Sequence, residues 1–144
     1  MVRPWLLLAP LFLATALSAG DASAAETSIA LGEVAVPPVS SGVDHMTLRA
    51  TAEGELRGVD QKKLHVLRKK RAVLVSMAII GSTPSPFACS VNAVLRDAKT
   101  GAMLAVIEGR ARSEGDASPE VRTRVLRAAV HSAMSQIPEA LAAN

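Results

Sequence analysis

The sequence predicts an α/β fold of the two-layer α+β kind: a four-stranded mixed or antiparallel sheet with two amphipathic helices on one face. Three observations predict it. Phe87 to Arg96 alternates apolar and polar, then turns at Asp97–Gly101 and alternates again from Ala102 to Ser113, which is a β-hairpin. Two other stretches repeat apolar residues at three- and four-residue steps, which is the period of a helix with one face buried. Neither the helices nor the hairpin can bury an apolar face alone, so they must cover one another.

The elements follow in order. Leu31 to Val36 reads as a short strand, stopped by Pro37-Pro38, which cannot donate to a ladder. Ser41 with Asp44 three residues on resembles a capping box. His45, Leu48, Ala52, Leu56 and Val59 then mark one helical face; Gly54 weakens the helix and Gly58 ends it. Residues 60–71 read as a connector with at most a helical turn. The run AVLVSMAII (72–80) reads as a well-buried strand, and the turn-rich stretch from Gly81 to Pro86 as a loop.

In the hairpin, Phe87, Cys89, Val91, Ala93 and Leu95 share one face, as do Met103, Ala105, Ile107, Gly109 and Ala111 on the returning strand. Gly101 supplies the positive φ the turn needs. After a turn at residues 113–117, Ser118-Pro119-Glu120 is a helix start, with a hydroxyl cap, a proline in the first turn and an acid at the positive dipole end. Val121, Val125, Ala129, Ala133 and Ile137, widened by Leu126, Val130 and Met134, form its buried stripe. Pro138 ends it, leaving residues 138–144 as a frayed tail.

The chain begins differently. Arg3 is followed by an apolar run from Trp5 to Leu17, then by small residues through Ala25. This is the layout of a secretory signal peptide, with cleavage near Ala24 or Ala25. A spanning helix needs roughly 20 apolar residues, and this run is shorter and holds Pro10. Leu17-Ser18-Ala19-Gly20 is like the approach to a lipidation site, but Asp21 stands where that chemistry needs a cysteine. The expected division is therefore residues 1–24 as signal peptide, 25–30 as a flexible lead, 31–137 as a single domain and 138–144 as the tail. The mature chain is expected in the periplasm or outside the cell.

Removing residues 1–24 takes away Arg3 and Asp21, so the net charge stays at +3. That mild excess permits contact with anionic surfaces without requiring it. Phe87 is the one aromatic left, so the core is built from Val, Leu, Ile, Met and Ala. Cys89 has no partner within the chain and sits among core positions of a strand, where a thiol packs as a small apolar residue.

The patterns that carry chemistry are poorly represented. His45, His65 and His131 are scattered, with no i, i+4 pairing to each other or to cysteine, so no metal site and no cofactor is expected. The chain has no G-x-S-x-G elbow and no glycine-rich phosphate loop. Glu53 and Glu55 point in different directions on a helix. A small hydrolase or thiol enzyme using Cys89 with a histidine is the weakest of the readings kept.

The most visible feature is a basic stretch with Lys62, Lys63, Arg68, Lys69, Lys70 and Arg71. It has two readings. One is contact with lipid headgroups, lipopolysaccharide or an acidic partner. The other is a solvated connector whose charges keep the next strand from pairing with other chains. Arg110, Arg112, Arg122, Arg124 and Arg127 could widen the patch. Missing stacking aromatics and export both weigh against nucleic acid.

The segment SVNAVLRDAKTGAMLAVIEGRA joins a strand, an aspartate, a "TG" turn and a strand ending in small residues. With strand–helix–strand before it and a helix after, it resembles small bacterial envelope domains: the amino-terminal domain of the translocation protein TolB, the curli-secretion lipoproteins and the lipoprotein activators of penicillin-binding proteins. The resemblance follows element order over 31–137 and residues over 91–109. It departs from the lipid-anchored members in lacking their N-terminal cysteine, and from the pore-forming members in having no room for their long hairpins. The resemblance implies an exported, non-enzymatic accessory or adaptor that binds another envelope protein. The alternative from the residues themselves is a module binding anionic surfaces through residues 62–71.

Overall fold

The computed structural model describes residues 26–38, 42–115 and 118–144. The expected signal peptide, the Ser41 cap and the Asp116-Ala117 part of the second turn lie outside them.

Strand β1 (Ser28–Ala35) runs parallel to β2 (Ala72–Pro84), which pairs antiparallel with β3 (Phe87–Asp97), which pairs antiparallel with β4 (Met103–Arg112). The sheet is thus mixed and its order is β1-β2-β3-β4. β1 starts at Ser28, so residues 28–30 are not a flexible lead: Ser28, Ile29 and Ala30 pair with Ala72, Val73 and Leu74. A bulge between Leu31 and Val34 brings Gly32 under Ser76. There the Gly32 carbonyl accepts from the Arg49 guanidinium at 3.2 Å, which ties the crossover helix to the strand.

That crossover is α1 (His45–Arg57). Its N-cap is Asp44, whose carboxylate accepts from Thr47 N at 2.7 Å; the acid expected as the inner half of a capping box is itself the cap. Leu48, Ala52 and Val59 are buried and Leu56 packs on the core. His45 is exposed, one turn too early to reach the sheet. A second short helix, α2 (Gln61–His65), is capped by Asp60 and buries Leu64.

β2 is longer than its apolar run. Gly81 to Pro84 continue the ladder opposite Phe87 to Ser90, so the expected loop shrinks to Ser85-Pro86. Thr83 Oγ1 closes it on the Pro86 carbonyl at 2.9 Å, and the prolines sit at the tip, where no ladder donor is needed. β2 is also not buried on both faces. Val73, Val75, Met77 and Ile79 are covered, while Leu74 and Ile80 are 38% and 49% exposed.

In β3 the expected inner face holds without exception: Phe87, Cys89, Val91, Ala93 and Leu95 are all buried. At the hairpin turn the Asp97 carboxylate accepts from Lys99 N (2.8 Å) and Thr100 N (3.1 Å), and Gly101 has φ +73°. In β4, Ile107 and Gly109 face the core, but Met103 does not: a register shift beside Leu95 pairs it with Arg96 and leaves it exposed.

Helix α3 (Pro119–Met134) starts at Ser118, whose hydroxyl accepts from Val121 N at 3.3 Å. Its face of Val125, Leu126, Ala129, Val130, Ala133 and Met134 is buried over β3 and β4, with α1 alongside. The chain after Pro138 is not frayed. Ile137–Ala142 forms a further helix, α4, with Ile137, Pro138 and Leu141 buried. Proline in a first helical turn starts a helix as readily as it stops the previous one.

Candidate functional site

The helices cover one face of the sheet, and the core lies between these two layers. Among the described residues, nothing covers the other face. Its centre is small or aliphatic: Ser76, Ala78, Ser90, Asn92 and Val94 are half-buried by their neighbours. Around them Leu74, Ile80 and Val106 stand exposed, Val106 by 54%. Glu108 and Arg110 pair on the same face, which holds the Glu108 carboxyl below its ordinary range and raises the Arg110 guanidinium. β1 and β4 are the two edges of the sheet.

A second feature lies in the helix layer. An open groove of about 490 Å³ runs between the α2 end and α4. Leu67, Pro138 and Leu141 form its floor, with Val66, 79% exposed, beside them. Lys63, Arg68 and Lys69 stand along it, and Glu139 is the one acid.

The basic stretch is therefore split rather than one patch. Lys63, Arg68 and Lys69 line the groove. Lys70 donates to the His65 carbonyl within its own turn. Arg71 lies near Asp97, whose carboxyl is held below the ordinary carboxylate range by the Lys99 and Thr100 N–H groups first and by Arg71 after them. Lys62 is exposed on α2 and does not line the groove. The side chains of Lys62, Lys63, Arg68, Lys69 and Lys70 are exposed, as in a solvated connector, while the backbone of the stretch is anchored at both ends. Asp60 caps its start, accepting from Lys62 N at 2.9 Å, and Ser28 N donates to the Arg71 carbonyl at 3.1 Å. The more distant arginines do not join it: Arg110 is on the bare face, Arg112 and Arg124 flank the Ser113–Gly115 turn, and Arg122 lies beside Gly42.

The other candidates stay apart. His65 meets Glu26 at 3.5 Å, and His131 Nδ1 meets Glu55 Oε2 at 2.7 Å, clamping α3 to α1. Among the described residues no three His, Cys, Asp or Glu side chains come together as metal ligands. Cys89 is 1% exposed, and burial pushes its thiol up to about 11, so it stays protonated and out of reach of substrate. Both properties count against the thiol-enzyme alternative.

Sequence reasoning missed the groove because it discarded one wall. Ile137 and Leu141 are four apart, a signal that residues 137–142 present one helical face.

No protein-family model matches the chain, and no curated protein matches it. Solved structures do. A PelC dodecamer from Paraburkholderia phytofirmans superposes with TM-score 0.54 at 14% identity, over 78% of this chain and 89% of that one. A point variant of the same PelC dodecamer gives 0.50 at 12%, over 77% and 90%. A hypothetical protein from Chlamydia trachomatis gives 0.56 at 8%, over 83% and 99%. At these identities the likeness is one of fold. It supports a small α+β domain and shows none of the families that the hairpin resembles. Among the described residues no helix is long and apolar enough to cross a membrane.

Proposed function

We propose that the chain is an exported envelope accessory that works by binding protein, and that its first partner is another copy of itself. The bare sheet face carries this reading. Strands of ten residues rise roughly 33 Å, and four of them span about 15 Å between outer strands, giving a face on the order of 500 Å². A stable interface covers roughly 800 Å² on each partner, so the face supplies the larger part of one and contacts around its rim the remainder. Leu74, Ile80 and Val106 supply apolar contact there, and Glu108 with Arg110 supplies a polar rim. The PelC structures of the same fold are dodecamers. A face on one side of the molecule with edges on another gives head-to-tail contacts, which form a ring where the rotation between neighbours closes and a filament where it does not.

Export is part of the reading. It rests on the layout of residues 1–25, and N-terminal sequencing of the protein recovered from cells tests it: a chain still beginning at Met1 in the cytosol would defeat it. Assembly is tested by native mass spectrometry and sedimentation velocity. The expected species is larger than a dimer at micromolar concentration, and Leu74→Glu or Val106→Glu, both on the exposed face, should return it to monomer. A wild-type monomer throughout would refute the proposal.

A further inference from the structure

We infer that the groove between α2 and α4 binds anionic phospholipid at a bilayer surface, with acyl or glycerol groups on its floor and phosphate on its rim. This goes beyond self-assembly and does not rest on it, because it uses a different surface. Four observations carry it.

The floor is apolar and the rim cationic. Leu67, Pro138 and Leu141 lie beneath, with Lys63, Arg68 and Lys69 above and Glu139 as the only acidic side chain among the described lining residues. Lysine and arginine lay their methylene stems along apolar surface with their heads in water, and a phospholipid presents the complement, a greasy body with an anionic head. The size fits, since about 490 Å³ falls within the usual range for small-molecule sites.

Val66 is placed against expectation. It is an aliphatic side chain, 79% exposed, between buried Leu64 and Leu67 and directly before Arg68 and Lys69. Burying it against lipid would gain about tenfold in affinity. An aliphatic residue flanked by cations is the arrangement in which apolar insertion and headgroup attraction add.

The backbone that carries the cations is anchored before any ligand arrives. Asp60 fixes the α2 start, Lys70 ties the turn to His65, and the Ser28–Arg71 bond fixes the exit. Less ordering is then required on binding.

Finally, Glu139 stands in α4, whose Pro138 and Leu141 are packed into the core, so the second wall is as fixed as the first.

The test is co-sedimentation of the purified chain with vesicles of phosphatidylglycerol and phosphatidylethanolamine, against vesicles of phosphatidylcholine alone. Binding is expected to the first only, weakening as salt rises. Each cation near an anionic surface contributes about 1 kcal/mol, so Lys63→Ala with Arg68→Ala and Lys69→Ala should lower affinity on the order of 100-fold. Val66→Asp should lower it at least about tenfold. The same loss of charge elsewhere, Arg57→Ala with Arg124→Ala and Arg127→Ala on α1 and α3, should change it by less than about threefold. All these side chains are outside any ion pair described above, and circular dichroism confirms that each variant is folded. Equal losses for the two triple variants would reduce the effect to net charge and overturn the proposal. So would equal binding to phosphatidylcholine. Retention of full affinity by Val66→Asp, with displacement by heparin, would assign the groove to soluble polyanions instead and overturn it too.

Discussion

Gly109 is where the two layers touch most closely, and one methyl group there tests the packing. A Cβ added to Gly109 would overlap the Ala129 carbonyl oxygen outright, and would lie 2.8 Å from Ala133 N and 3.0 Å from Ala133 Cβ. Two of these three atoms belong to the α3 backbone, so no rotamer change relieves the clash. Helix α3 must lift from β4 by an ångström or so, and a gap of that size forfeits a quarter to a half of each affected dispersion contact. Val125, Leu126, Ala129, Val130 and Ala133 all lose ground together. Overpacking costs typically ~1–3 kcal/mol, and backbone blockers put Gly109→Ala at the upper end. Losing glycine from the unfolded chain returns roughly 0.4–1 kcal/mol. A net loss of about 2–3 kcal/mol corresponds to a fall in Tm of roughly 10 °C for a domain this size. Far-UV circular dichroism in urea is the assay, because the domain has neither Trp nor Tyr beyond Trp5. Gly54→Ala is the internal control. Its new Cβ meets nothing within 4 Å, in the middle of α1, so the same substitution should stabilise by ~0.5–1 kcal/mol. If Gly109→Ala stayed within about 0.5 kcal/mol of wild type, the close approach of α3 to β4 would be wrong.

Other outcomes follow from single sites. Cys89 should resist alkylation in the native state at pH 8 and react on unfolding, as mass spectrometry would read. Its thiol is raised from 9.0 to about 11, so the native state holds the proton longer and stability falls as pH rises through that window, by up to about 3 kcal/mol. Cys89→Ala should lose that part of the alkaline dependence, and an unchanged profile would contradict it. Asp97 has the opposite sign: its carboxyl is lowered by the turn N–H groups, so its stabilising effect is present at neutral pH and lost as pH falls below the ordinary carboxylate range. Asp97→Asn should flatten the acid limb of a Tm–pH curve. Leu141→Ala should cost about 2–4 kcal/mol in urea unfolding if α4 is part of the core, and almost nothing if residues 138–144 were a tail.

What could be read from the sequence was whatever depends on neighbours along the chain. The inner face of β3 was legible because one covered face imposes a two-residue period, and Phe87 to Leu95 keep it without interruption. The Ser118 cap and the Asp97–Gly101 turn were legible because their bonds span two to four residues. Misreadings arose where distant pairing decides. Gly81 to Pro84 carry turn composition, yet the strand partner at Phe87–Ser90 recruits them. Met103 keeps the period but not the face, because the register slips beside Leu95. The run AVLVSMAII hides its alternation, since Leu74 and Ile80 are apolar while pointing away from the core. The groove joins α2 to α4, which are more than 70 residues apart, so no local pattern announces it.

The two surfaces proposed to act share no residue. Leu74, Ile80 and Val106 lie on the bare sheet face, whereas Val66, Lys63, Arg68 and Lys69 lie in the helix layer. Assembly through one therefore leaves the other free, and a ring would present several grooves at once. If these face the same way, vesicle binding becomes multivalent, and avidity can exceed the single-groove affinity by ~100-fold or more without any new contact. Val106→Glu should then weaken vesicle binding although Val106 does not line the groove, while a groove variant should leave the sedimenting species unchanged in size. The asymmetry separates the explanations. Should Val106→Glu dissociate the assembly and leave vesicle affinity intact, each groove acts alone. Should Val66→Asp dissociate it, the groove is an interface between copies, and lipid is not its occupant.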